Sequence, residues 1–174
     1  MLPTTDEMDS KVGAQTGSGR ALIEAFDVQF VLLHSRSCAL VSKASVDMLY
    51  YRGAQPTPAL TVYSIGENVL HSAAAIEQTF GGITANLWDD PFEWTLPEHL
   101  STVERVIEYL EEVEATRKRA FARFARDSDL LKEVLVPAGH TRPLIGLLVE
   151  TLVKAADYQG RAAATLQFLS VDRQ

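Results

Sequence analysis

Apolar residues recur at spacings of three and four along four stretches of the chain, with polar residues between them. The first stretch runs from about Gly19 to Lys43 and sets Leu22, Ile23, Phe26, Phe30, Leu33, Leu40 and Val41 on one helix face. The second begins at Ser64 and runs to about Phe80, with Ile65, Val69, Ala73, Ile76 and Phe80 as its stripe. The third runs from Ser101 to about Arg126. The fourth starts near Pro143 and runs to about Leu169, with Leu148, Leu152, Ala155, Gln159, Ala162, Leu166 and Leu169 on a heptad-like face. No strand pattern and no internal repeat stands out. The expected architecture is all-α: an antiparallel four-helix bundle with a long connector between its first two helices.

Local signals set the expected ends of these helices. Ser64 and Glu67 have the spacing of a capping box, and so do Ser101 and Glu104. Gly81-Gly82 should end or loosen the second helix. Pro56 and Pro58 force extended chain in the first connector. Both tryptophans lie in the segment Trp88 to Trp94, a loop expected to be pinned onto the helices by aromatic burial. A short turn or helix is expected near Asp129 to Val134, followed by the turn Pro137 to His140. The third helix has acid in its first half (Glu104, Glu108, Glu111, Glu112, Glu114) and base in its second (Arg117, Lys118, Arg119, Arg123, Arg126). That split complements the helix dipole and needs no binding role.

The first 17 residues are rich in Thr, Asp, Ser and Gly and read as a disordered arm ahead of one domain from residue 18 to residue 174. The stretch Gly13 to Arg20 is a poor phosphate loop, lacking the Lys-Ser/Thr ending and a preceding strand. At 174 residues and 47% hydrophobic, the chain can bury a full helical core. A net charge of -7 opposes nucleic acid and anionic membrane surfaces as partners. No apolar run reaches the roughly 20 residues of a membrane span, and no leader is expected at the polar start. The single cysteine, Cys38, suits a reducing cytoplasm.

Few residues offer chemistry. His71 lies in the middle of the second helix beside its apolar stripe, with Glu67 one turn earlier as a possible orienting group or ligand. Gln159 is the polar residue on the inner stripe of the last helix, among Ala155, Ala156, Ala162 and Ala163, where small side chains leave room for a pocket or a water. His34 and Cys38, four apart, share a helix face and could form a two-ligand arm for zinc or nickel. Nothing identifies a base to activate Cys38 as a nucleophile. His99 and His140 fall in loops. The Gly-x-Ser-x-Gly, His-Glu-x-x-His and Cys-x-x-Cys signatures are missing.

The segment Tyr63-Ser64-Ile65-Gly66-Glu67-Asn68-Val69-Leu70-His71, with the order of elements around it, resembles the DinB/YfiT-like family of bacterial four-helix-bundle metalloenzymes. The resemblance covers about residues 18 to 170. It implies a nickel or zinc site with one histidine on the second helix and two, four residues apart, on the last, and it implies a homodimer. His71 matches the first ligand. The other two places fall on Ala155 and Gln159. Alanine offers no donor, and a neutral amide is a poor ligand for these ions. The metal site is therefore expected to be degenerate and no cofactor is expected. The resemblance then implies a stress-associated or small-molecule-binding protein, with His71, Glu67, Gln159 and Ala155 as pocket residues. The alternative is a metal-dependent thiol S-transferase or hydrolase with a rearranged nickel or zinc site, built from His71 with Glu67, or with His34 and Cys38.

Overall fold

The computed structural model describes residues 19–52, 62–91 and 99–171. The arm expected over the first 17 residues lies outside them, as do Pro56, Pro58 and Trp94. The elements are helices α1 (Ala21–Lys43), α2 (Val46–Leu49), α3 (Ile65–Ala85), α4 (Val103–Phe121) and α5 (Leu144–Val171). Between α4 and α5 lie a 3-10 turn, Asp127–Leu131, and two strands, β1 (Glu133–Leu135) and β2 (Thr141–Pro143). The chain is mostly helical, as its periodicity predicts. No helix among the described residues is long and apolar enough to cross a membrane.

The four long helices share one core. Phe30 of α1, Phe80 of α3 and Phe121 of α4 meet edge-on or tilted, with ring centroids 5.1 to 5.8 Å apart. Each buried ring contributes about 2–3 kcal/mol of transfer free energy, so this triangle ties the middle of α1 to the C-terminal parts of α3 and α4. From Ser64 to Ile76 every residue of α3 is buried except His71, which is half-buried. A helix enclosed on nearly all sides must satisfy its own polar groups. Ser72 Oγ does so by donating to the carbonyl of Ala155 on α5 at 3.0 Å.

Paired contacts fix the helix directions. His71 meets Tyr158, Ser72 meets Ala155 and Thr79 meets Thr151, so α3 and α5 run antiparallel. Asp27 pairs with Arg117 and His34 with Glu111, so α1 and α4 are antiparallel too. Glu77 accepts from Tyr109 and the Thr84 carbonyl from Arg123, so α3 and α4 run the same way. It follows that α1 and α5 are parallel. The expected antiparallel arrangement therefore holds for α3 with α5, α1 with α4 and α1 with α3, but not for α3 with α4 or α1 with α5. The reason is connector length: α3, at 21 residues, is about 30 Å long, and residues 86–102 are enough chain to span that distance, so α4 need not start where α3 stops.

Several helix ends differ from expectation. α3 runs through Gly81-Gly82 and stops at Asn86, which takes the left-handed conformation with φ 56°. Gly82 is there for space: a Cβ on it would lie 2.3 Å from the Trp88 ring. Trp88 is thus laid over α3 as expected, with its carbonyl accepting from Gln78 at 2.8 Å. α4 is capped by Thr102, one residue later than the expected Ser101–Glu104 box: the Thr102 hydroxyl accepts from Arg105 N, and Arg105 has no carboxylate to return the bond. α4 also ends at Phe121, short of Arg126. Asp129 turns the chain there by accepting from the backbone of Ala125 at 2.7 Å and Arg126 at 3.1 Å. The hairpin of β1 and β2 was not expected; three-residue strands are too short to show alternation. Gly139 closes its turn with φ 76°.

Two contacts join distant parts of the chain. The start of α1 has no local cap; Asp127 accepts from the backbone of Leu22 and Ile23 at 3.1 Å. Arg117, read from the charge pattern only as part of the basic half that complements the helix dipole, is 1% exposed. Its guanidinium grips Glu114 through two bonds of 2.7 and 2.8 Å and reaches Asp27 on α1. Such a planar fork, lying 5.1 Å from the Phe121 ring centroid, is a setting in which arginine tolerates burial. Leu22, counted on the inner face of α1, is half-exposed.

The glycines of α3 and α5 should respond oppositely to alanine. Gly160→Ala meets open space and should stabilise by about 0.5–1 kcal/mol through helix propensity. Gly82→Ala should destabilise by about 1–3 kcal/mol and shift Trp88 emission, because the ring must move. Urea denaturation of both variants checks this. The carboxylates predict acid lability. Burial pushes Glu114 up, but the hydrogen bonds and charge of Arg117 outweigh it and hold the group below its ordinary value. Lys132 and the backbone of Arg126 and Ala125 lower Asp129 to about 2. Groups whose folded values are depressed stabilise the fold above their unfolded values and lose that contribution as pH falls through the folded ones. Stability should therefore be level near neutrality and decline from about pH 5 toward pH 2, with the lower part flattened in Asp129→Asn.

Candidate functional site

His71 is the one half-buried position in the enclosed stretch of α3, and aromatic rings flank it. The Tyr158 ring of α5 stacks on the imidazole with centroids 4.9 Å apart and planes 16° apart. The Tyr63 ring, just before α3, lies tilted at 4.6 Å. Burial pushes His71 below its ordinary pKa; Asp90 and Glu67 pull the other way without outweighing it, while Lys154 and Arg161 add to the depression. The lowered value favours the neutral imidazole near pH 7. Arg161 extends the stack from outside, its guanidinium 5.4 Å from the Tyr158 ring centroid.

The residues expected to line a pocket with His71 do not gather into one site. Glu67 is buried and engaged in fold stability. Its Oε2 accepts from the backbone of Ser64 at 2.8 Å, completing the expected capping box, and Arg52 binds both oxygens. Burial pushes Glu67 up, yet those bonds hold its carboxyl below the ordinary value. Ala155 is fully buried and its carbonyl serves Ser72. Gln159 is buried too, but it turns toward α1. Its Nε2 donates to the Leu33 carbonyl at 2.5 Å and to Ser37 Oγ at 2.7 Å. It lies at the edge of a cleft of about 460 Å³ between α1 and α5, with Ala39, Ala156 and Gly160. The α5 residue that faces His71 is Tyr158, which the heptad-like stripe did not contain.

A smaller cavity of about 220 Å³ opens one turn along α3 from His71. Ala75, Gln78 and Trp88 form one wall, Val136 and Leu147 another, and Arg142, Glu150 and Lys154 sit at its rim. Arg142 is held by Glu150 at 2.6 Å, and Lys154 adds a further positive charge. Lys154 acts on His71 as well as on this cavity.

One set of possible metal ligands does assemble, elsewhere. His34, Cys38 and Glu111 each offer one ligand atom, all within 4.8 Å of one another. It is the sole such set of three His, Cys, Asp or Glu side chains among the described residues, and His71 is not part of it. The spacing of His34 and Cys38 was visible in the sequence. Glu111 was not, because only the packing of α4 on α1 places it there. Burial, then Glu111, pushes the Cys38 thiol up, which does not favour a nucleophilic thiolate. His99 and His140 are exposed, as expected of loop residues.

No protein-family model matches this chain, and no curated protein does either.

The stack on His71 has a direct test. Tyr158→Leu should cost about 0.5–1.5 kcal/mol beyond any change in buried area, and the ring-current shift on the His71 carbon-bound protons should collapse. Denaturation and proton NMR of the His71 ring check both outcomes.

Proposed function

We propose that this chain is a DinB-like bundle protein that works without the three-histidine metal site of that family and binds a small anionic molecule beside His71. The observation that carries the reading is the state of α5 at the two places where ligands would stand. Ala155 is fully buried and offers only its carbonyl, which accepts from Ser72, and Gln159 spends its amide on α1. Four long helices around one core support the bundle type. The stacked, neutral His71 and the adjacent cavity with Lys154 at its rim support binding. A cavity of about 220 Å³ suits a ligand smaller than a drug-sized molecule. A rearranged metal site around His71 draws no support from the described residues, since Glu67 is held by Ser64 and Arg52.

The test is His71→Ala in the full chain. Zinc and nickel uptake, read by equilibrium dialysis with metal analysis, should match the wild type. Inorganic phosphate and small carboxylates should quench or shift Trp88 emission in a Trp94→Phe background, and that response should weaken at least about tenfold in Lys154→Ala, the loss expected of a charge-assisted contact. Metal binding that disappears with His71→Ala sinks the reading.

A further inference from the structure

The cluster formed by α1 and α4 has a geometry of its own. His34 Nε2 lies 3.3 Å from Glu111 Oε1 and 3.7 Å from Cys38 Sγ. Zinc-type bonds of about 2.0–2.3 Å at tetrahedral angles hold neighbouring ligand atoms roughly 3.3–3.8 Å apart. Two of the three edges are already of that length. The third, from Cys38 Sγ to the Glu111 carboxylate, is within 4.8 Å. The Glu111 side chain is 62% exposed, so rotation about its own bonds can shorten that edge without moving a helix.

Hydrogen bonding alone leaves this arrangement in competition. A ring nitrogen carries either a proton or a lone pair. If Nε2 donates to Glu111, it cannot accept from the Cys38 thiol. If it accepts from Cys38, its lone pair faces a carboxylate oxygen 3.3 Å away. A cation between the three groups takes a lone pair from each at once. Glu114, the nearest other acid on α4, is engaged by Arg117 and Lys118 and keeps out of the set.

We propose that His34, Cys38 and Glu111 form a binding site for a borderline-soft divalent cation of the zinc class, separate from the His71 region. Mixed nitrogen, sulfur and oxygen donors select zinc-like ions over magnesium or calcium, which favour oxygen alone. Three protein ligands leave a fourth position for water or an exchangeable small ligand. His34 and Cys38 are half-buried at the helix contact while Glu111 faces solvent, so the open position is reachable from outside.

Cobalt(II) is the probe, added to the reduced full chain. The expected result is a single bound equivalent with a sulfur-to-cobalt charge-transfer band and tetrahedral ligand-field bands, both displaced by zinc. Cys38→Ser should abolish the charge-transfer band. His34→Ala and Glu111→Gln should each weaken binding at least about tenfold. His71→Ala should leave the spectrum unchanged. Helix content by circular dichroism shows that each variant folds; all three side chains lie outside the fully buried core. Absence of the band in the wild type, or a band that survives Cys38→Ser, overturns the proposal. Loss of the band with His71→Ala overturns it too, and with it the reading of His71 given above, whereas failure of the phosphate or carboxylate response alone touches only that reading.

Discussion

The close approach of α3 and α5 is the constraint on which the rest of the structure depends. It rests on small side chains: Ser72, Ala73, Ala74 and Ala75 on one helix, Ala155 and Ala162 on the other, all buried. Their size lets a side-chain hydroxyl reach across to a helix carbonyl. With α5 so near, α3 is covered on one side, and α1 and α4 close the others through the Phe30, Phe80 and Phe121 triangle. A larger residue at Ser72 or Ala155 would separate the two backbones and loosen every contact that α3 makes. The same closeness brings Tyr158 over His71. The candidate site is therefore a consequence of core packing and not an addition to it.

Polar groups inside this core follow a common rule. Glu67, Arg117, Asp129 and Gln159 are all buried and all committed to specific partners. Burial of an ion pair adds little net stability, since desolvation offsets most of the attraction. What such groups do supply is registration. Arg117 can hold both Glu114 and Asp27 at only one offset of α1 against α4, and Gln159 does the same for α5 against α1. The apolar faces alone, rich in alanine and leucine, would tolerate a slide of one turn.

What was legible in the sequence was whatever is decided locally. The Ser64–Glu67 box spans four residues of chain and appears as read. The stripe Ile65, Val69, Ala73, Ile76 and Phe80 is entirely buried because periodicity within one helix is a local property. Contacts between distant segments decided the rest. Gly81-Gly82 looked like a stop because nothing nearby in sequence announces that Trp88 folds back over Gly82. The burial of Arg117 was not legible because its second acid, Asp27, lies on another helix. The parallel course of α3 and α4 is hidden in a connector whose length permits either direction. The site was read in the same partial way: His71 and the His34–Cys38 pair could be found by spacing, but Tyr158 and Glu111 could be found only by packing.

The cap on α1 bears on how the molecule comes into being. Asp127 stands 105 residues beyond the backbone group of Leu22 that it serves. A helix whose first turn is completed from so far along the chain gains that stabilisation only after the later segment exists. On a ribosome α1 would emerge before α4 and wait, its amino end open, until α4 and the turn after it had been made. Closing so long a loop costs chain entropy, and it places the formation of α1's first turn late in assembly. A helix made before α4 is thus finished by a residue made after α4, which ties α1 to the completion of the fold.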